Sequence, residues 1–128
     1  MRRRTLQPDD LVLKVTGRYF VPNLEGVVTK TCFEGRAVMP HLVVQGKRLD
    51  LPDSSALSQR TQVLGMSAYL LNEFYLTAAR NGAACLECHA KAFVAMQMRA
   101  DPSRVCVLPP LAISPTRQGS INNVVTLL

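Results

Sequence analysis

The sequence predicts an α+β fold, with short N-terminal antiparallel strands packed on one long central helix. A small cysteine-containing knuckle region and an extended C-terminal tail follow. Three observations lead there. Residues 11–51 carry short β-like runs punctuated by Gly17, Pro22-Asn23, Glu34-Gly35 and Pro40. Residues 54–81 hold the longest helical pattern of the chain, and residues 82–110 hold three of its four cysteines. At 128 residues and 48% apolar composition, the chain suits one domain, 1–128, with a core of its own.

Residues 1–10 form a basic arm that ends in Pro8-Asp9-Asp10. In the β-rich part, Leu11, Leu13 and Val15 alternate with Val12, Lys14 and Thr16, a period of two that Gly17 breaks. Tyr19-Phe20-Val21 is a second short candidate. The β-branched stretch from Gly26 to Phe33 is a third, with Glu34-Gly35 as its turn. Ala37-Val38-Met39 and Leu42-Val43-Val44 flank Pro40-His41, where proline marks an edge or a break. Leu49-Asp50-Leu51 follows the basic turn at Lys47-Arg48. Three to five antiparallel strands are expected.

Leu51-Pro52-Asp53-Ser54-Ser55 reads as a helix start, because a short oxygen-bearing side chain accepts from the first free amides. A helix from Ser55 to Arg80 would span about 39 Å at the standard rise. Leu57, Leu64, Leu71 and Ala78 repeat at seven, and Val63, Met66, Leu70 and Phe74 form a second apolar strip. Such a helix is buried on two sides, which makes residues 57–79 the expected contact for a protein partner or a homo-oligomer. Gly65 is a close-approach point or a weak spot, and Arg80 with Asn81-Gly82 suits the helix end. Residues 90–100 read as a shorter helix stopped by Asp101-Pro102, and residues 103–108 as a strand stopped by Pro109-Pro110. Residues 111–128 lack periodicity and read as a tail.

The net charge of +6 and pI of about 9.6 favour an acidic partner, DNA or RNA. The phosphate-contacting candidates are Arg2, Arg3, Arg4, Lys47, Arg48, Lys91, Arg99 and Arg104. No apolar run reaches the ~18 residues of a membrane span, so no membrane role is expected. Arg2-Arg3-Arg4 resembles the start of a signal peptide, yet Thr5 to Asp10 supplies no hydrophobic region, and a cytoplasmic location is expected. In a reducing compartment the cysteines are expected as free thiols, metal ligands or redox groups.

Cys85-Leu86-Glu87-Cys88-His89 concentrates the chemistry. A C-x-x-C turn can aim two sulfurs at one metal ion, and 17 residues separate Cys88 from Cys106, a normal gap between the halves of a zinc ribbon. The expected ligands of a structural Zn2+ are Cys85, Cys88, Cys106 and His89. Pro109 stands where a second C-x-x-C would end, so the fourth donor would be His89, Cys32 or His41. Three other readings stand beside zinc. The thiols can be plain buried or half-buried side chains. The pair can be redox-active, since a C-x-x-C at a helix start lowers a thiol pKa, although the thioredoxin type has a strand before the motif. C-x-x-C-H is also the covalent haem motif, disfavoured where no export segment is seen. Glu87 is the one candidate to orient a metal-bound water. There is no Gly-rich phosphate loop, no G-x-S-x-G and no convincing acid pair, so no catalytic residue is assigned.

Cys85-Leu86-Glu87-Cys88, then Phe93-Val94, then Val105 to Pro110 resemble the zinc-binding region of the flagellar transcriptional activator family, C subunit, over residues 60–110. The resemblance implies a zinc-containing subunit of a DNA-binding activator that works with a partner subunit. The expected function is thus a small basic nucleic-acid-associated regulatory protein. The alternative is a structural or assembly protein, such as a viral or phage component, that oligomerises through the apolar helix.

Overall fold

The computed structural model describes residues 5–52, 55–118 and 123–128. The alternating segment forms β1, Leu11–Val15, as expected. It pairs antiparallel with β3, Val63–Ser67, which pairs antiparallel with β2, Leu42–Val44. β4, Val105–Val107, runs parallel to β2 and completes a four-stranded sheet in the order β1-β3-β2-β4. The chain is therefore α+β, with two sheets.

The single long helix over 54–81 is replaced by a strand and a shorter helix. α2 covers only Ala68–Arg80, and residues 63–67 are the central strand β3. All five β3 residues are buried, because the strand has cover on both faces. A run buried on both faces loses its period of two and reads like part of a helix. Gly65 has a role only a strand explains. A Cβ there would come within 2.7 Å of Leu13 Cδ2 and 3.0 Å of Val43 Cβ, so glycine lets β1 and β2 close over β3. The expected start at Asp53-Ser54 lies outside the described residues. A 3-10 turn at Ala56–Ser58 follows it, capped by the Ser55 hydroxyl accepting from the Leu57 amide. Ser67 then caps α2 by accepting from the Leu70 amide at 3.2 Å. At the other end Gly82 has φ 57°, the left-handed cap that Asn81-Gly82 leads one to expect.

The β-branched stretch 26–33 is also not a strand. α1, Leu24–Val28, runs on as a π-helical segment, Thr29–Phe33. Helical spacing puts Val28 and Cys32 on one side, both buried, and that packing overrides the β preference of Val27, Val28 and Thr29. Tyr19-Phe20-Val21 forms no strand either. The tail contains a hairpin, β5, Ala112–Gln118, with β6, Asn123–Leu127. Leu128 is tied by two backbone hydrogen bonds to Leu111, at 2.6 and 2.8 Å. Residues 119–122 of the expected tail lie outside the described residues.

Alternation along the strands splits the core in two. Val43, Val63 and Cys106 face a layer made by Val28, Cys32, Leu111 and Leu128. Leu42, Val44, Leu64 and Met66 face α2 and α3, the latter spanning Leu86–Ala100. Across the first layer, a disulfide joins Cys32 to Cys106, with Cα atoms 5.6 Å apart.

His41 precedes β2, where its amide donates to the Arg104 carbonyl. Burial, and then the nearby Arg104 guanidinium, push its pKa below the ordinary value, and Asp101 only partly opposes them. The folded state therefore binds this proton less readily than the unfolded state. Stability from His41 is present above the ordinary histidine pKa of about 6.5 and is lost as pH falls through the lowered folded value. Thermal melts between pH 7.5 and 5 should show a declining Tm, with a shallower slope in His41→Gln. Equal slopes would remove His41 from the acid response.

Candidate functional site

The helix α3 begins at the cysteine pair. Cys85 is its N-cap in an extended conformation, φ −124° and ψ 107°, and its sulfur accepts from the Cys88 amide at 3.2 Å. Cysteine here takes the place that serine or aspartate usually holds, using sulfur to satisfy a free helix-start amide. Both thiols are exposed and unbonded. Their proton affinities are split. The Cys88 thiol donates to Cys85 sulfur, and with the Cys88 and Glu87 amides it lowers the Cys85 pKa below the usual thiol value. The same hydrogen bond, seen from the donor, raises the pKa of Cys88. Cys85 is thus the more acidic thiol of the two.

His89 does not face the sulfurs. Its Nε2 lies 3.2 Å from the Phe74 carbonyl and 3.2 Å from Thr77 Oγ1, on α2. Its ring packs tilted against Phe74 at 5.0 Å and Phe93 at 6.1 Å. This side chain pins the first turn of α3 to α2. Glu87 reaches Thr61 Oγ1 at 3.5 Å and Lys91 Nζ at 3.9 Å, on the side of α3 that borders a cleft of about 780 Å3. Leu86 and Glu87, the two residues between the cysteines, both line that cleft.

The expected zinc ligands are not brought together. Cys106 sulfur is bonded to Cys32, His89 is engaged with α2, and Cys85 and Cys88 remain as a pair. Among the described residues, no group of three or more His, Cys, Asp or Glu side chains gathers as a metal would require. His41 and Cys32, the other candidate donors, lie elsewhere, His41 against Arg104 and Cys32 in the disulfide.

No family model, curated protein or solved structure matches the chain.

The basic candidates are dispersed. Arg48 is paired with Asp50, Lys91 reaches toward the Leu57 carbonyl at 3.5 Å, and Arg104 donates to the Met39 carbonyl at 3.3 Å. Lys47 lies in the loop after β2, in a bridge with Gln59, and Arg99 is in the last turn of α3. Lys91 and Arg99 stand eight residues apart on α3, about 12 Å along its axis. Arg2, Arg3 and Arg4 lie outside the described residues. Within 57–79, Tyr69, Tyr75 and Leu76 are exposed on α2, whereas Leu70, Phe74 and Ala78 are buried by the protein's own core. No helix among the described residues is long and apolar enough to cross a membrane.

Sequence reasoning missed the Cys32–Cys106 bond. Its partners are 74 residues apart, and no spacing rule links two such cysteines. The cleft was missed for a similar reason, since its walls come from three separate stretches of chain.

Proposed function

We propose that Cys85 and Cys88 form an exchange-active dithiol, and that the protein transfers reducing equivalents to, or accepts them from, a disulfide-bearing partner. The observation that carries this reading is the unequal pair at the start of a 15-residue helix, both sulfurs exposed, with Cys88 donating to Cys85. The thiolate is the attacking species in thiol–disulfide exchange, so a lowered pKa on Cys85 raises its thiolate population at neutral pH. Cys85 thiolate attacks one sulfur of a disulfide RSSR′, forming a Cys85–SR mixed disulfide and releasing R′S−. Cys88 then loses its proton and attacks Cys85 sulfur, releasing RS− and closing the Cys85–Cys88 disulfide. The net change is one dithiol oxidised and one disulfide reduced to two thiols. The motif follows helix α2 and not a strand, so the reading rests on the site and not on the topology of thioredoxin.

Incubation with oxidised glutathione, read by intact mass, tests it. Wild type should lose two hydrogens without retaining glutathione, whereas Cys88→Ala should accumulate one glutathione adduct on Cys85. The alkylation rate of Cys85 should reach half its plateau at a lower pH than that of an ordinary thiol, and Cys88→Ala should move that midpoint upward by removing the donor. Cys88→Ser, which keeps a hydroxyl donor, should fall between. Equal, ordinary reactivity of both thiols in all variants would end the proposal.

A further inference from the structure

The cleft beside α3 has features that the thiol chemistry does not use. Its volume of about 780 Å3 is in the range of small-molecule sites, roughly 300–1,000 Å3. It arises from the strand order. β1 is an edge strand, and Val12 and Lys14 point to the same face as Leu64 and Met66, toward α2 and α3. Val12, Leu64 and Met66 make the floor, and Leu71 and Phe74 of α2 face it, so the interior is apolar.

The charge on its walls is unbalanced. Lys14 and Arg18 line it against one carboxylate, Glu87. Glu87 is directed to Thr61 and Lys91, and neither Lys14 nor Arg18 has a carboxylate partner among the described residues. Lys14 Nζ is held in place, donating to the Thr61 carbonyl at 2.9 Å and reaching Thr16 Oγ1 at 3.4 Å. An ammonium has three donors, so one remains. Gln62 lines the same wall with a buried side-chain oxygen that has no hydrogen-bond partner among the described residues. Its amide can present either oxygen or nitrogen to an occupant.

We propose that this cleft binds a small amphipathic carboxylate, an alkyl chain ending in an acid. The chain lies on Val12, Met66, Leu71 and Phe74, and the carboxylate meets Lys14 and Arg18. The apolar lining excludes a purely polar anion, because burying the floor against alkyl carbon supplies most of the affinity. The cations exclude an amine at the same end.

Methyl NMR of the full-length protein, carrying 13C-methyl methionine, tests this with dodecanoate, dodecyltrimethylammonium and acetate, each below its micelle concentration. Dodecanoate should move the Met66 signal saturably while leaving Met96, exposed on α3, in place. Arg18→Gln, at an exposed position, should weaken dodecanoate about tenfold, the effect of one lost charge-assisted hydrogen bond. Dodecyltrimethylammonium should bind at least as weakly as dodecanoate does to that variant, and acetate should cause no shift. Cys85→Ala should bind dodecanoate like wild type, which separates this site from the dithiol. An unmoved Met66 signal overturns the proposal. So do equal binding of the anionic and cationic chains, or a Met96 shift with the same midpoint as Met66.

Discussion

Replacing both Cys32 and Cys106 with alanine should lower unfolding stability by about 4 kcal/mol, the loss expected when a loop of some 75 residues is no longer closed in the unfolded chain. A domain of this size has roughly 5–15 kcal/mol in total, so the variant should sit near the edge of folding. Its Tm should drop by roughly 10–20 °C. The bond matters structurally because of what it joins. Among the described residues no hydrogen bond joins the π-helical segment to the sheet strand it lies against, and Cys32 is the covalent link from that segment to β4. Both sulfurs are fully buried, so alanine leaves a small void but strands no polar group. Urea melts of wild type with and without reductant, beside the double variant, provide the check. Thiol titration supplies the companion number: two reactive thiols in the native protein and four after reduction under denaturant. An unchanged urea midpoint on reduction would show that the bond carries no stability.

That bond also marks where the sequence stops being legible. Local patterns worked where one face of an element meets water. Leu11–Val15 alternates because Leu11, Leu13 and Val15 pack on the core while Lys14 is exposed at the cleft, and residues 90–100 of α3 were recognisable from their helix formers and the stop at Asp101-Pro102, though the helix starts earlier, at Leu86. Patterns failed where both faces are covered. Val63–Ser67 is buried throughout and merged with the helix that follows it. They failed again where a tertiary anchor chose the conformation, as at Cys32, whose bond and burial hold β-branched neighbours in a helical turn. The cysteine pair was legible as a turn opening on chemistry, because two thiols two residues apart are a local feature. Which thiols were left to act was not legible, because that depended on Cys106 being engaged by a residue 74 positions away.

Phe74→Ala should cost about 3–5 kcal/mol, the range for a buried aromatic truncated in a packed core. Phe74 is 7% exposed and touches three rings: Tyr75 at 5.1 Å, His89 at 5.0 Å and Phe93 at 5.4 Å. The Phe93 contact is edge-on, at 77° between planes, the arrangement that aligns the positive edge of one ring with the face of the other. Removing the Phe74 ring therefore separates α2 from α3 where His89 also crosses between them. Phe74→Leu keeps most of the volume and should cost less than half as much. The two variants also separate the two proposed activities. The hydrogen bond from the Cys88 amide to Cys85 lies wholly inside the first turn of α3, so Phe74→Leu should leave the Cys85 alkylation midpoint where it is. Phe74 lines the cleft, so the same variant should change dodecanoate affinity. If its thiol midpoint moved along with cleft binding, the reactivity of Cys85 would depend on how α2 packs against α3 and not on the cap alone.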